Sequence, residues 1–131
     1  MRLPGLVLQG ILARAALVFL RLYLGFAFLL SSWLKLDLQT MPKVSYVSAV
    51  TVGELLLGVA LLLGILTRFS AALALIVSIG YLYSSGTWLG PGATGHAAHA
   101  AISIALLVGA AGRTLGVDAV LARRWPRSPL W

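Results

Sequence analysis

The chain has no cysteine, and only three acidic residues and two histidines among its 131 positions. Without cysteine there are no disulfides, no thiolate nucleophile and no thiolate metal site, so any redox chemistry has to reside on a bound cofactor or substrate. His96 and His99 share a helix face, but two imidazoles without a third ligand are a weak metal signal. Residues three apart on one helix also cannot supply opposing axial ligands to a haem. No Ser-His-Asp set can be assembled, because Asp118 is expected at one end of the apolar spans and the histidines at the other. The glycines at 53 and 58, 90 and 92, and 109 and 112 follow no strand and read as packing or turn residues, and no nucleotide-binding motif is present.

Charge is scarce as well. Only 10% of the residues are charged while 60% are hydrophobic, and the mean hydropathy is +0.99, a balance that a water-wetted domain does not tolerate. The reading is a membrane protein. The net charge of +7 comes from basic residues beside apolar runs, which makes it a topology signal rather than a footprint for nucleic acid.

Four apolar segments stand out: Ala15–Leu34, Ser45–Leu66, Phe69–Ser85 and His96–Ala111, the last expected to extend further. Pro42, the Thr67-Arg68 pair and the Gly/Pro-rich stretch Gly86–Gly95 separate them. The expected fold is all-α, an integral membrane antiparallel four-helix bundle forming one domain, with residues 114–131 as a basic cytoplasmic tail. A signal peptide is the alternative for the first segment, but no A-x-A site follows it and Lys35 closes it, which favours retention. Arg2, Arg14, Arg68, Arg113, Arg123, Arg124 and Arg127 fall on one side of this arrangement and only Lys35 and Lys43 on the other. The positive-inside rule then puts both termini in the cytoplasm of a multi-pass protein of a bacterial or archaeal inner membrane. Trp33 and Trp88 would lie near the outer interface, and Trp125 and Trp131 in the inner tail, which serves either as a stop-transfer flank, the favoured reading, or as a contact for anionic headgroups.

Glu54 is the one carboxylate between Val44 and Leu66, about ten residues from either end of that run. An ionisable group near the membrane midplane costs roughly 2.5–3.5 kcal/mol on insertion scales, so it faces protein or water and usually has a partner. Helical spacing puts Thr51, Glu54, Gly58 and Leu61 on one stripe of the second segment, and Arg14, Arg21, Gly25, Phe28, Ser32 and Lys35 on one stripe of the first. The third segment offers Ser70, Val77, Tyr81 and Ser84, and the fourth His96, His99 and Ser103. Arg21 is the expected partner of Glu54 across an axial gap of about 9 Å, either as an ion pair that fixes register or as a charge that sets the protonation of Glu54. His96 reads as a helix-start residue at the wet interface. His99, one turn deeper, is the better site candidate.

Three stretches together resemble the DoxX-like family of small four-helix membrane proteins, which includes the DoxD subunit of thiosulfate:quinone oxidoreductase. They are RLYLGFAFLLSSWLK, with Arg21, Gly25, Phe28 and Lys35; GELLLGVALLLGILTR, with Glu54 and Thr67-Arg68; and GAAGRTLGVDAVLARR, with Gly112, Arg113 and Asp118. The likeness runs from about Ala15 to Arg124 and departs mildly at Ser32, where the family often has glycine. It implies a four-helix bundle and a subunit role in quinone-linked redox chemistry, with sulfur chemistry on a separate chain, since this one has no cysteine and no extramembrane domain.

The first reading is therefore a subunit of a quinone-linked oxidoreductase. Glu54 and Arg21 would carry proton and charge, while Tyr81, His99 and Ser103 would line a ligand-sized cavity for a quinone head group near the outer leaflet. Its partners would be membrane lipid, further redox subunits or a second copy. The rival is a non-catalytic accessory subunit of a larger respiratory or photosynthetic complex; a small transporter is a third and weaker reading. The topology is directly testable: a reporter that is active only in the periplasm, fused after Trp131, is expected to be silent.

Overall fold

The computed structural model describes residues 4–37, 45–84, 93–109 and 115–127, and these form helices with no strand among them: α1 (Pro4–Asp37), α2 (Ser45–Leu63), α3 (Thr67–Ser84), α4 (Ala93–Gly109) and α5 (Val117–Arg124). Lys43, Trp88, Trp131, Arg2, Arg113 and the expected extension of the fourth helix past Ala111 lie outside the described residues.

α1 is much longer than the stretch Ala15–Leu34. It starts at Pro4, where proline's fixed φ and missing N–H cost a first helical turn nothing. Nothing between Pro4 and Ala15 breaks it, and Arg14 ends an apolar run without ending a helix, since arginine is a good helix former. Its 34 residues span roughly 51 Å against about 30 Å of bilayer hydrocarbon. Arg14, expected to face the other helices, is exposed, as are Val7, Leu8, Ile11 and Leu12 beside it.

α2 stops at Leu63 because the chain turns left-handed there. Gly64 has φ +67°, its N–H donates to the Leu61 carbonyl, and the Ile65 N–H donates to that of Ala60 at 2.8 Å, the pairing of a Schellman end. Leu66 follows at φ 48°, so the turn is tight enough that α3 begins at Thr67 rather than Phe69. The N-terminus of α3 is capped from far along the chain. Leu66 and Thr67 donate their backbone N–H groups to the two carboxylate oxygens of Asp118, at 2.7 and 2.6 Å, and the Asp118 N–H returns a bond to the Gly64 carbonyl at 2.8 Å. The fully buried Asp118 thus fastens α5 against the α2–α3 turn, so part of the expected tail is an ordered helix.

The first four helices pack as neighbours in the cycle α1, α2, α3, α4, with α4 returning to α1. Gly25 of α1 faces Gly58 of α2 so closely that a methyl on Gly58 would come within 2.9 Å of the Gly25 carbonyl oxygen, a crossing that only small residues permit. Leu17 lies against Gly109, while Tyr23 and Phe28 flank His99, so α1 and α4 run in opposite senses. Leu24, Phe28, Leu61, Ala71, Ala74 and Leu106 form the apolar core. The inward face of α3 is a small-residue stripe, Ser70, Ala71, Ala74 and Ser78, ending at Leu82; Val77 lies at its margin and Ser84 is exposed.

The outward surface is apolar too, with Phe19, Phe26, Leu56, Ile76 and Val108 each at least 60% exposed. The stretches Val7–Leu36 and Thr67–Ser84 are long and apolar enough to cross a membrane, and shorter apolar helices run over Ala49–Leu63 and Thr94–Gly109. Large apolar side chains outside and polar ones inside are the pattern of a protein solvated by lipid.

If Asp118 caps α3, Asp118→Ala leaves two N–H groups without acceptors and should cost about 1–3 kcal/mol. Thermal unfolding in mild detergent is expected at a lower temperature for Asp118→Ala, with a smaller drop for Asp118→Asn, which keeps one acceptor. An unchanged Tm in Asp118→Ala would contradict the cap.

Candidate functional site

The stripe Thr51, Glu54, Gly58 and Leu61 is buried throughout, so α2 turns its carboxylate into the helix cluster as its spacing implies. Glu54 is 1% exposed, and a bare carboxylate so placed would be prohibitively unstable. Its partners are Lys35 and Tyr81. The Lys35 ammonium reaches Oε2 at 2.6 Å, and the Tyr81 hydroxyl donates to Oε1. Lys35 also donates to the Tyr81 hydroxyl at 2.6 Å, so three side chains from α1, α2 and α3 close a ring of hydrogen bonds.

Among the described residues every donor of the ring but one is paired. Lysine has three N–H donors, and the ring uses two. The Lys35 side chain is also the exposed member, at 26% against 0% for that of Glu54. α4 covers the ring's flank: the His96 imidazole stacks on Tyr81 with centroids 4.9 Å apart and planes at 23°. His99 lies a turn further along, its ring 6.3 Å from that of His96, 6.0 Å from Phe28 and 6.3 Å from Tyr23. Ser103 is buried but donates its hydroxyl to the His99 carbonyl of its own helix at 2.8 Å, so it offers a ligand only acceptor lone pairs. Among the described residues no three of His, Asp and Glu converge as metal ligands would.

The expected Arg21–Glu54 pair does not form. Measured from the Gly25–Gly58 crossing, Arg21 lies four residues toward one end of the bundle and Glu54 four toward the other, which separates them by roughly 12 Å along the axis. Lys35 lies beyond Glu54 on the same side, only about 9 Å off, and two long flexible side chains bridge that. Arg21 is instead buried at the opposite end, at 1% exposure, where its Nη1 donates to the Leu115 carbonyl and Asp118 acts on its charge through space. Gly64 and Gly116, at φ +67° and +121°, make room for it; a methyl on Gly64 would come within 2.7 Å of Nη1. Arg21 therefore ties α1 to the segment entering α5, packed beside the α2–α3 turn, and takes no part in the Glu54 ring.

A family model described as "TQO small subunit DoxD" matches residues 23–129, well over half of the chain. The chain belongs to the DoxD family. No curated protein and no solved structure matches it. The matched range takes in every member of the ring as well as Asp118, while Arg21 lies two residues before it, in this DoxD-family chain. The family's description is that of a small subunit, and the apolar exterior fits a membrane setting.

Sequence reasoning placed Lys35 on the correct stripe but did not put it in the site, and it set His96 aside as an interface residue. Spacing alone carries the Lys35 signal: 21, 25, 28, 32 and 35 follow one face, and the outermost basic residue on it is the one on Glu54's side of the Gly25–Gly58 crossing. With α4 starting at Ala93, His96 lies a turn inside the helix rather than at its start.

A double-mutant cycle reads the pairing. Removing one partner of a buried ion pair costs about 3–5 kcal/mol, and the partial exposure of Lys35 puts Lys35→Met toward the low end. Combining it with Glu54→Gln should recover much of that loss, whereas Arg21→Met and Glu54→Gln should be additive. Additivity at Lys35, or coupling at Arg21, would contradict the assignment.

Proposed function

We propose that this chain is an inner-membrane subunit of a quinone-linked oxidoreductase, an integral four-helix bundle with both termini in the cytoplasm, whose Lys35–Glu54–Tyr81 ring handles protons at a quinone head group. The observation that carries the reading is the ring itself: a carboxylate, a phenol and an ammonium in one buried circuit, with one donor on its exposed member that no described residue takes. Family membership supports the subunit role and the quinone as the substrate class.

The residues suit such a ligand. A quinone carbonyl is an acceptor, and the third Lys35 N–H is the donor left for it; the Tyr81–His96 stack and the Phe28 and Tyr23 rings around His99 give flat apolar walls. A quinone, when bound, takes up two electrons and two protons, the electrons coming from a donor handled by a partner subunit. Lys35 holds positive charge next to the carbonyl position. Tyr81, which accepts from Lys35 and donates to Glu54, connects the ammonium to a carboxylate that stores or releases a proton at Oε1. His99 lies within one turn of His96 and is the second candidate for the far side of the head group, with Ser103 behind it. Arg21 has no role in this step.

The experiment is purification of the native complex in mild detergent, with extraction of bound quinone and assay of quinone-dependent turnover. Tyr81→Phe keeps the ring stack and removes the hydroxyl relay, and Lys35→Met removes the free donor. Each should lower turnover at least about tenfold, the scale of one positioned acid–base group. The pair Tyr81→Phe with His99→Ala should also lose retained quinone at unchanged yield. Normal assembly and unchanged quinone behaviour in that pair would favour the accessory-subunit reading, in which the chain packs on a larger complex without touching its substrate.

A further inference from the structure

α5 is eight residues long, too short to hold together in water by itself. It is held by Asp118, whose carboxylate and N–H are both spent on the α2–α3 turn. The face opposite Asp118 is therefore presented ready-made, and its composition is unusual. Val117, Val120 and Arg124 follow one another at i, i+3 and i+7, Arg123 stands beside them, and Trp125 closes the helix. Val117, Val120 and Trp125 are 41%, 66% and 54% exposed, and the Arg124 guanidinium lies 5.4 Å from the Trp125 ring centroid.

A helix facing water has no use for that much open apolar surface, and one facing acyl chains would not carry two guanidiniums. The two together mark the boundary between headgroups and acyl chains. The position of α5 agrees, because it is fastened where the apolar helices α2 and α3 meet, at the end of the bundle that also carries Arg68. The next residues add the exposed Arg127.

The geometry points to this face of α5 as a binding surface for anionic phospholipid headgroups. The guanidiniums of Arg123, Arg124 and Arg127 take the phosphate oxygens in two-pronged fashion, while Val117, Val120 and the Trp125 indole settle into the acyl boundary. The chemistry of an acidic protein partner would satisfy the arginines but gives no reason for a tryptophan and two valines at the level where the apolar spans end. The inference rests on the membrane setting and is independent of any quinone chemistry.

The test is reconstitution into nanodiscs of brominated phosphatidylcholine or brominated phosphatidylglycerol, reading the Trp125 contribution to fluorescence as the difference between the native chain and Trp125→Phe. Quenching by the brominated anionic lipid should exceed quenching by the zwitterionic one. In mixed discs each arginine among Arg123, Arg124 and Arg127 changed to glutamine should lower the preference about fivefold. The triple change to lysine keeps the charge but not the two-pronged fit, so it should retain only part of the preference, and because all three side chains are exposed, yield and Tm should be unaffected. Equal quenching by the two lipids in the native chain would overturn the proposal. So would a Trp125 shielded from both lipids in native membranes and exposed only after purification, which would mark the face as a protein interface.

Discussion

An ionised carboxylate with no counter-charge cannot stay in an apolar interior, and the sole glutamate of this chain is placed in one. The helices around Glu54 are arranged so that this condition is met. α2 can turn Glu54 inward only if α1 brings Lys35 and α3 brings Tyr81 within reach of it, and the ring they close fixes the relative height of three helices at once. The Gly25–Gly58 crossing is the geometric counterpart: it lets α1 and α2 approach closely enough that an ammonium well beyond Glu54 along α1 can still reach it. Apolar packing of Leu24, Phe28, Leu61 and Leu106 holds the helices together but is indifferent to small slides along their axes, whereas the polar ring is not.

The other end of the molecule follows the same logic with different parts. Arg21 is as buried as Glu54, and it is accommodated by a backbone carbonyl, the nearby charge of Asp118 and two glycines with positive φ rather than by a direct ion pair. Asp118 in turn supplies the acceptors that the first N–H groups of α3 lack. Charge of both signs is thus distributed to two ends, one built for rigidity at a turn and one with a lysine that keeps a free donor and some exposure. That asymmetry separates the structural end from the candidate reactive end.

Helical spacing was enough to read the all-α class, the inward direction of Glu54 and the approach of Tyr81 to it, because periodicity tells which face of a helix a residue occupies. It does not tell at what height the faces of two helices meet. The choice between Arg21 and Lys35 as the partner of Glu54 is a question of height, decided by where Gly25 and Gly58 cross, and the two basic residues are indistinguishable by face. α5 was illegible for another reason: its stability comes from a cap contact spanning some fifty residues of sequence, and its own composition reads as a basic tail. The length of α1 is not visible in its apolar run, because Arg14 ends only the run and not the helix.

Membership of the DoxD family and the Lys35–Glu54–Tyr81 ring both support the proposed role in a larger redox assembly. The proposed role of the ring depends on which cation Glu54 touches. The sequence makes this easy to measure, since Glu54 is the only glutamate and there are just two lysines. In lipid bilayers, a rotational-echo double-resonance solid-state NMR experiment on protein with 13C at the glutamate Cδ and 15N at the lysine Nζ should show strong dephasing, as required by an Nζ–Oε2 separation of 2.6 Å. No dephasing in that sample, together with dephasing when arginine guanidinium nitrogens carry the label instead, would contradict the account.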